Sequence, residues 1–304
     1  DSSQIPTLLL CRLAKKEVTV ALTGDGGDEV FGGYNRYLFN LKFLLNKNPI
    51  STIIRKSIGI SFLGLHNLNR NEATFASSFF QAIGLPSSLT QRVGYLGQAI
   101  SQSESTEELY NFLTKRFSNL GEILLDENFS SFQLEHGGFD NLSSQEWMMV
   151  MDALNYLPGD ILVKLDRAAM STSLETRAPF LDGRILDYAF KLSLKDKITK
   201  RKGKLILRDI LSKYVPSKII DRPKQGFSIP IDRWLRGALR SWAEDLLSNT
   251  KIKQYGILDP SKTSVLWKSH LSGKYNNGEK LWTILMLQSW LEKESENPSN
   301  NLIN

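Results

Sequence analysis

Cysteine and histidine are scarce in this chain of 304 residues. The single cysteine, Cys11, can form no disulfide within the chain, which indicates a reducing compartment such as the cytoplasm. The histidines His66, His136 and His270 stand far apart and show no metal-ligand spacing. No apolar run approaches the length of a membrane span, and the first residues do not resemble a signal peptide. We therefore expect no disulfide framework, no histidine metal centre and no membrane association.

The composition is otherwise that of an ordinary folded protein. It is 41% hydrophobic and 10% aromatic, enough for one large core or two small ones. Apolar residues around Cys11 predict a helix with a packed cysteine. Aromatic and leucine residues at helical spacing after Asp232, and again at 281–293, predict further helices. The polar tail at 292–304 is predicted to be disordered.

The net charge of +6 is concentrated between residues 191 and 236. This basic run, which includes Lys197, Lys204 and Arg208, lacks the interleaved aromatic residues of a single-strand binder and any nucleic-acid motif, so we expect no nucleic-acid partner. Two interpretations stay open. The run is either a solvated face of loops and helices, or a basic wall that attracts nucleotide phosphates and stabilises leaving pyrophosphate.

Residues 18–29 carry the most informative pattern of the chain. The β-branched run VTVAL at 18–22 predicts a buried strand, and it ends in a glycine-acid turn, TGDGGDE at 23–29. Glycines at 24, 26 and 27 allow positive φ and a close approach of a ligand to the backbone. Thr23 adds a hydroxyl, and exposed backbone N–H groups can cradle an anion. The turn therefore predicts an anion site at the end of a strand.

Three carboxylates, Asp25, Asp28 and Glu29, are crowded onto the same turn. Like charges at this spacing repel, so a cation such as Mg²⁺, or a proton in transit, is expected among them. The alternative is an acidic surface turn in which Asp28 or Glu29 caps a helix. The turn lacks the lysine of a P-loop, the glycine spacing of a dinucleotide fingerprint and the ligand order of a calcium loop. The residues alone predict an anion and metal site of no standard type.

A second polar segment follows the apolar helix predicted at 147–157. Pro158 and Gly159 are expected to break that helix, and Asp160 then caps or opens another. Asp160, Lys164 and Arg167 follow at i, i+4 and i+7, so they share one charged face. This face is either a surface ion pair of little energetic weight or a polar wall turned toward the active site, with Asp160 as the contact.

Two further motifs complete the set of candidates. In LETRAPFLD at 174–182, Glu175 and Arg177 precede a proline that imposes an extended backbone; a buried Glu175–Arg177 support network is favoured over direct ligand binding. In RPKQGFSIP at 222–230, Pro223 and Gly226 shape a loop around Lys224. A lysine on such a loop is either solvated or placed to neutralise charge that develops on a transferring phosphoryl group.

These three motifs together resemble the synthetase domain of glutamine-dependent asparagine synthetases. TGDGGDEVFGGY at 23–34 is similar to the family form S-G-(E/D)-G-x-D-E-(V/L)-F-G-G-Y, and the other two motifs follow in the family's order. The resemblance implies an α/β, helix-dominated chain with a short parallel sheet, of the adenine-nucleotide α-hydrolase-like (PP-loop ATP pyrophosphatase) fold. It also implies that the chain is N-terminally truncated, with a partial synthetase domain at 1–291.

The resemblance implies a reaction in which the side-chain carboxylate of aspartate attacks the α-phosphorus of ATP. The products of this step are β-aspartyl-AMP and pyrophosphate. Ammonia derived from glutamine by an N-terminal glutaminase domain then displaces AMP to give asparagine. That domain, and an S-G-G-x-D-S loop that forms half of the nucleotide site, are absent here, so the fragment alone is expected to be inactive. A homodimer is also compatible with the resemblance.

The same resemblance implies a role for each candidate residue. Lys224 stabilises the pentavalent phosphorus, Asp28 binds Mg²⁺, and Asp25 stands where many members carry a glutamate that handles the proton of the attacking ammonia. Asp160, Glu175 and Arg177 contact the substrate or support the site. The residues expected to approach ATP are Thr23, Gly24, Gly26, Gly27 and Lys224.

Two other functions remain open at this stage. The same loop and lysine serve related enzymes that amidate other carboxylates, in polysaccharide assembly, or that close a β-lactam. The chain could also be a non-catalytic nucleotide-binding or scaffold remnant, which a gene beginning near Asp1 would favour.

Overall fold

The computed structural model of the chain describes residues 1–38, 56–57, 99, 101–117, 120–126, 139, 141–199, 202–221, 227, 229–273 and 275–296. These residues form two compact units. The sheet unit comprises residues 7–114 and 136–225, and the helical unit comprises residues 1–6, 115–135 and 226–304. Helices predominate over strands in the described part of the chain, which confirms the predicted helix-dominated α/β class.

The sheet unit is built on a short parallel sheet. Helix α1 (Gln4–Ala14), whose first residues belong to the helical unit, leads to strand β1 (Val20–Leu22) and helix α2 (Gly27–Phe31). A 3₁₀ turn (Asn35–Leu38) and helix α3 (Thr106–Thr114) follow among the described residues. Strand β2 (Glu175–Arg177) pairs in parallel with β1, with Val20 opposite Glu175 and Leu22 opposite Arg177. The predicted strand before the glycine-acid turn is therefore confirmed.

The strand is not buried as the sequence predicted. Val20 and Leu22 are exposed, whereas Ala21 between them is half-buried. Ala21 packs with Cys11 and with Ala168, which covers one face of the sheet. The apolar run fixed the conformation of the strand, but burial depends on which elements cover each face, and that information is absent from the run itself.

Cys11 lies in the core of the sheet unit, as predicted for a packed cysteine. It contacts α1 neighbours and residues of a later helix in one apolar cluster, and burial raises the pKa of its thiol. Burial and the raised pKa both disfavour formation of the reactive thiolate.

The helix expected to end at Pro158 continues through it. Helix α4 (Ser144–Met151), a π-helical segment (Asp152–Ile161) and helix α5 (Leu162–Met170) follow one another directly. Proline has no N–H for the α-helical ladder, and its ring clashes with the carbonyl one turn earlier. The wider π-helical register accommodates both defects, as Leu162 N donating to Leu157 O illustrates. The predicted helix break was therefore wrong.

The remaining elements of the sheet unit follow β2. They are a 3₁₀ turn (Pro179–Leu181) and helices α6 (Gly183–Lys191), α7 (Leu194–Lys197), α8 (Leu205–Ser212) and α9 (Ser217–Ile220). The Asp182 side chain accepts from the N–H of Arg184 and caps α6. Phe180 and residues of α6 and α8 pack around Val30 and Phe31, which places these helices beside α2.

The helical unit contains the other predicted helices. They are α10 (Ile231–Arg236), α11 (Arg240–Leu246), α12 (Asn249–Tyr255), α13 (Pro260–Leu271) and α14 (Gly278–Glu296). Leu235, Leu246, Leu281 and Leu285 form its centre. Helix α14 extends through Glu296, so it enters the stretch expected to be a disordered tail; residues 297–304 lie outside the described part. No helix among the described residues is long and apolar enough to cross a membrane.

Candidate active site

The glycine-acid turn begins where β1 ends. The N–H of Thr23 donates to Arg177 O of β2 at 2.8 Å, which fixes the turn to the sheet. Thr23 Oγ1 is buried and has no hydrogen-bond partner among the described residues. Gly24 follows, and a Cβ built at Gly24 would meet nothing within 4 Å. The turn therefore leaves an unused hydroxyl and an open stretch of backbone at the carboxyl end of a parallel strand, where α/β proteins commonly bind ligands.

The glycines of the turn have different tasks. Of those at 24, 26 and 27, only Gly26 has a positive φ, +84°. A Cβ on Gly26 would lie 2.3 Å from Leu181 Cδ2, and one on Gly27 would lie 3.0 Å from Phe180 Cδ2. The absence of a Cβ on Gly26 and Gly27 therefore lets Leu181 and Phe180 pack against the turn, whereas the Cβ side of Gly24 is open. The predicted contact of these glycines with ATP stays a prediction.

The three carboxylates of the turn have different environments. Asp25 is half-buried and makes no hydrogen bond or ion pair within the described ranges. Asp28 pairs with Lys204 Nζ at 3.1 Å. Glu29 is buried and accepts from the Tyr34 hydroxyl at 2.5 Å; burial raises its pKa. The expected cluster around one cation is not found, because no group of three His, Cys, Asp or Glu residues in the described part could hold a metal ion.

Lys204 is a site residue that sequence reasoning placed only within the basic run. Its backbone is left-handed, with φ of 55°, and its N–H donates to Phe31 O at 3.1 Å. Close packing holds it there, since a Cβ on the preceding Gly203 would lie 2.0 Å from Gly32 O. The G-K pair just before an apolar-periodic helix is the signal that could have singled it out. The chain thus brings one ammonium group to the glycine-acid turn.

A buried ionic network centred on Asp152 packs against the residues that follow the glycine-acid turn. The Asp152 carboxylate is fully buried and accepts from Arg36 Nε at 2.8 Å, Arg36 Nη2 at 2.6 Å, the Tyr110 hydroxyl at 2.8 Å and the Tyr37 hydroxyl. The Arg36 guanidinium also lies over the ring of Tyr34, 4.2 Å from its centre. Burial and the Asp152 charge raise the pKa of Tyr37 and of Tyr110, so both hydroxyls keep their protons.

This network was missed from the sequence. Its one visible sign is a lone acid, Asp152, in the apolar run WMMVMDALNYL. A single acid among apolar helix residues is buried only when it is paired, so a distant cation was implied. Arg36 stands 116 positions away, and nothing in the local pattern identifies it.

Two of the predicted supporting residues, Glu175 and Arg177, lie on strand β2. Arg177 Nε donates to Glu175 Oε1 at 2.8 Å, as expected of a pair, but 66% of the Arg177 side chain and 53% of the Glu175 side chain are exposed. The buried support network predicted for them is therefore wrong: both lie on the open face of β2, opposite the exposed residues of β1. Asp160 is half-buried at the end of the π-helical segment.

Lys224, the principal catalytic candidate, lies outside the described residues. The last described residue before it is Asp221, whose carboxylate accepts from Lys202 Nζ at 2.9 Å and Arg208 Nη1 at 2.8 Å. These pairs show that the basic run is partly neutralised by its own acid.

A glycine turn and a lysine at the carboxyl end of a parallel strand are the arrangement that α/β proteins commonly use to bind anionic ligands. Sequence comparison then gives the family. The model of the asparagine synthase family matches residues 1–292, and the chain belongs to that family.

Named relatives extend the comparison. The chain is 29% identical over 95% of its length to asparagine synthetase [glutamine-hydrolyzing] 1 of Bacillus subtilis. It is 30% identical, also over 95%, to a putative asparagine synthetase [glutamine-hydrolyzing] of Mycobacterium bovis. A more distant relative, 22% identical over 87% of the chain, is Amidase chry2 of Gibberella zeae. The chain spans only 43%, 42% and 39% of these relatives, so it corresponds to less than half of each.

Proposed function

We propose that the intact protein is an ATP-dependent amide synthetase of the cytoplasm that converts aspartate, ATP and glutamine-derived ammonia into asparagine, AMP and pyrophosphate. One observation carries the proposal: Asp28 and Lys204 pair at 3.1 Å beside the open Gly24, at the end of a parallel strand. Family membership and the names of the relatives support the reaction type.

ATP would meet the turn through its accessible part. The Gly24 backbone is open to the nucleotide. The Thr23 hydroxyl beside it is buried and has no hydrogen-bond partner among the described residues, and Gly26 and Gly27 shape the turn against Leu181 and Phe180. Lys204 supplies a fixed positive charge for the phosphates, and Lys224 is proposed as the second. An ammonium group suits this task because it neutralises the charge that develops as pyrophosphate departs.

The proposed chemistry has two steps. A carboxylate oxygen of aspartate bonds to the α-phosphorus while the bond to pyrophosphate breaks, giving β-aspartyl-AMP. Ammonia then bonds to the acyl carbon, the bond to AMP breaks, and the nitrogen gives up a proton. We propose Asp25 as the acceptor of that proton, because its carboxylate is half-buried beside Gly24 and has no partner in the described part of the chain.

Magnesium is implied by the family and does not fit the described residues by themselves. Asp28 offers a single carboxylate, and that carboxylate is already paired with an ammonium group. In the proposal Asp28 supplies one ligand, and the others belong to the phosphates and to the part of the protein outside this chain. When bound, the ion would neutralise phosphate charge.

The test is ATP–pyrophosphate exchange by the intact protein, with and without aspartate. Lys204→Ala and Lys224→Ala are each expected to lower aspartate-dependent exchange by about 10²–10³-fold, the loss typical of removing one charge-stabilising donor. Lys191→Ala is the matched control, because that lysine pairs on the surface with Asp187. Undiminished exchange in Lys204→Ala would contradict its role, and no exchange with any carboxylate would favour the non-catalytic remnant.

A second candidate is amidation of a different carboxylate. The observation that favours it is the similarity to Amidase chry2, which is named an amidase and is 22% identical to the chain. Exchange that requires another carboxylate and ignores aspartate would establish this alternative and keep the adenylation mechanism.

A further inference from the structure

The ion pair between Asp28 and Lys204 places an ammonium group where a cation would bind the turn. Lys204 Nζ lies 3.1 Å from Asp28 Oδ2, and only 30% of the Lys204 side chain and 28% of the Asp28 side chain are exposed. Partial burial removes much of the water and salt that would otherwise screen the two charges. The pair is therefore expected to be stronger than an exposed pair such as that of Lys191 with Asp187.

The backbone of Gly33 makes room for this pair. A Cβ built on Gly33 would lie 1.9 Å from Asp28 Oδ1 and 2.4 Å from Lys204 Cε, so both charged side chains lie directly against this glycine. The hydrogen bond of Lys204 N to Phe31 O holds the base of the lysine side chain in place. The ammonium group can therefore leave Asp28 only by turning about the bonds of its own side chain.

The described residues offer a free divalent ion little besides Asp28. Glu29, the next carboxylate, is buried and accepts from the Tyr34 hydroxyl at 2.5 Å. No group of three His, Cys, Asp or Glu residues within the described ranges could hold a metal ion. Magnesium usually completes its shell of oxygen ligands with water and substrate phosphates. Without a nucleotide, such an ion would have to displace Lys204 in exchange for one carboxylate.

A nucleotide at the turn would face the same ammonium group. Gly24 and Lys204 line one cleft of about 680 Å³, a volume within the usual range of ligand sites. Apolar side chains such as Ile206 and Leu207 form much of the remaining wall. Because apolar surroundings screen charge poorly, phosphates in this cleft would attract the ammonium group strongly. Phosphates at Gly24 therefore compete with Asp28 for Lys204.

We propose that Lys204 is the resident counter-ion of Asp28 and keeps free divalent cations out of the site, so that metal enters only together with the nucleotide. When the ammonium group turns to the phosphates, the Asp28 carboxylate becomes available to the cation that accompanies them. The inference rests on the proposed function, because it takes a nucleotide as the ligand of the turn.

Metal binding by the intact protein without nucleotide tests the inference. Mn²⁺ is the probe, because the free ion is measured directly by electron paramagnetic resonance. Lys204→Met removes the ammonium group but keeps a long side chain, so it should bind Mn²⁺ at least about fivefold more tightly than the unsubstituted protein, the lower end of typical couplings between ligands. Equal or weaker binding would overturn the inference.

Two controls assign this gain to the pair. Lys191→Met breaks the exposed pair with Asp187 and should leave Mn²⁺ binding unchanged. Addition of Asp28→Asn to Lys204→Met should abolish the gain, because the carboxylate released by the first substitution is then absent. A gain that survives in this double variant would place the ion elsewhere and overturn the inference.

Calorimetric titration with ATP in the presence of a chelator provides the reciprocal measurement. Asp28→Asn releases Lys204, so metal-free ATP should bind at least about fivefold more tightly than to the unsubstituted protein. In the Lys204→Met background the same substitution should gain much less, because no ammonium group remains to be released. An equal gain in both backgrounds would reflect simple repulsion by Asp28 and overturn the inference. If ATP does not bind even with Mg²⁺, the proposed function itself fails.

Discussion

Replacement of Asp152 by alanine should destabilise the sheet unit more than other single substitutions of a charged residue. The buried carboxylate accepts two hydrogen bonds from Arg36 and one each from Tyr37 and Tyr110. Without it, a largely buried guanidinium loses its counter-ion, which costs about 3–5 kcal/mol. Each orphaned tyrosine hydroxyl adds up to about 1–3 kcal/mol, although these losses are not additive. We take about 3 kcal/mol as the lower bound.

Native-state hydrogen exchange is the appropriate assay, because a chain with two units need not unfold in one step. A loss of about 3 kcal/mol corresponds to exchange more than about a hundredfold faster, since each 1.4 kcal/mol is tenfold. The faster exchange is expected in peptides that cover α2 and α4. Asp187→Ala, which breaks an exposed pair with Lys191, is the matched control and should change exchange little.

A double-mutant cycle with Arg36→Met separates the ion pair from packing. If Arg36 and Asp152 act as one unit, the double variant should cost far less than the two single variants together. Acceleration of less than about tenfold in Asp152→Ala, or strict additivity in the cycle, would refute the reasoning.

Three further predictions concern packing and protonation. Gly203→Ala would place a Cβ 2.0 Å from Gly32 O, so it should destabilise the protein by about 1–3 kcal/mol in urea unfolding. Gly183→Ala is the control and should not destabilise it, because its Cβ would meet nothing within 4 Å. Equal effects of the two substitutions would contradict the close approach at Gly203. Burial raises the pKa of Glu29 above its ordinary value of 4.5, so the folded state holds this proton more tightly and its stability falls as the pH rises above 4.5. Glu29→Gln should therefore gain melting temperature relative to the unsubstituted protein as the pH rises, and a constant difference would argue against the shift. Burial lowers the pKa of His270 below 6.5, so the unfolded state binds the proton more readily. The free energy of unfolding should therefore rise as the pH increases toward 6.5. If His270→Gln keeps the same dependence of this free energy on pH, His270 is not its source.

Local patterns were sufficient for several elements of the chain. The β-branched run before the glycine-acid turn predicted β1, and helical periodicity predicted α1 and α14. These predictions succeeded because the conformation of a short segment depends on its own residues. Burial of Leu22 and the break at Pro158 were predicted wrongly, because each depends on what surrounds the segment: the elements that cover a sheet face, and a π-helical register that accommodates a proline.

The candidate site was predicted in part. Thr23, Gly24 and Asp28 stand together at the turn because they are adjacent in sequence, and Phe180 and Leu181 join them as the second motif. The partners of the two acids were not foreseen, since the contacts of Asp28 with Lys204 and of Asp152 with Arg36 span long stretches of chain. Long-range pairs leave no periodic signal in one sequence. The roles of these candidates, and those of Asp25, Asp160 and Lys224, stay predictions.

The left-handed backbone of Lys204 sets stability against the proposed function at a single position. A lysine with φ of 55° costs about 1–3 kcal/mol that glycine would not. Selection for heat resistance alone should therefore replace Lys204 with glycine, and selection for amide synthesis should restore the lysine. A library at position 204, passed through each selection separately, would show whether this residue is retained for its charge in spite of its conformation.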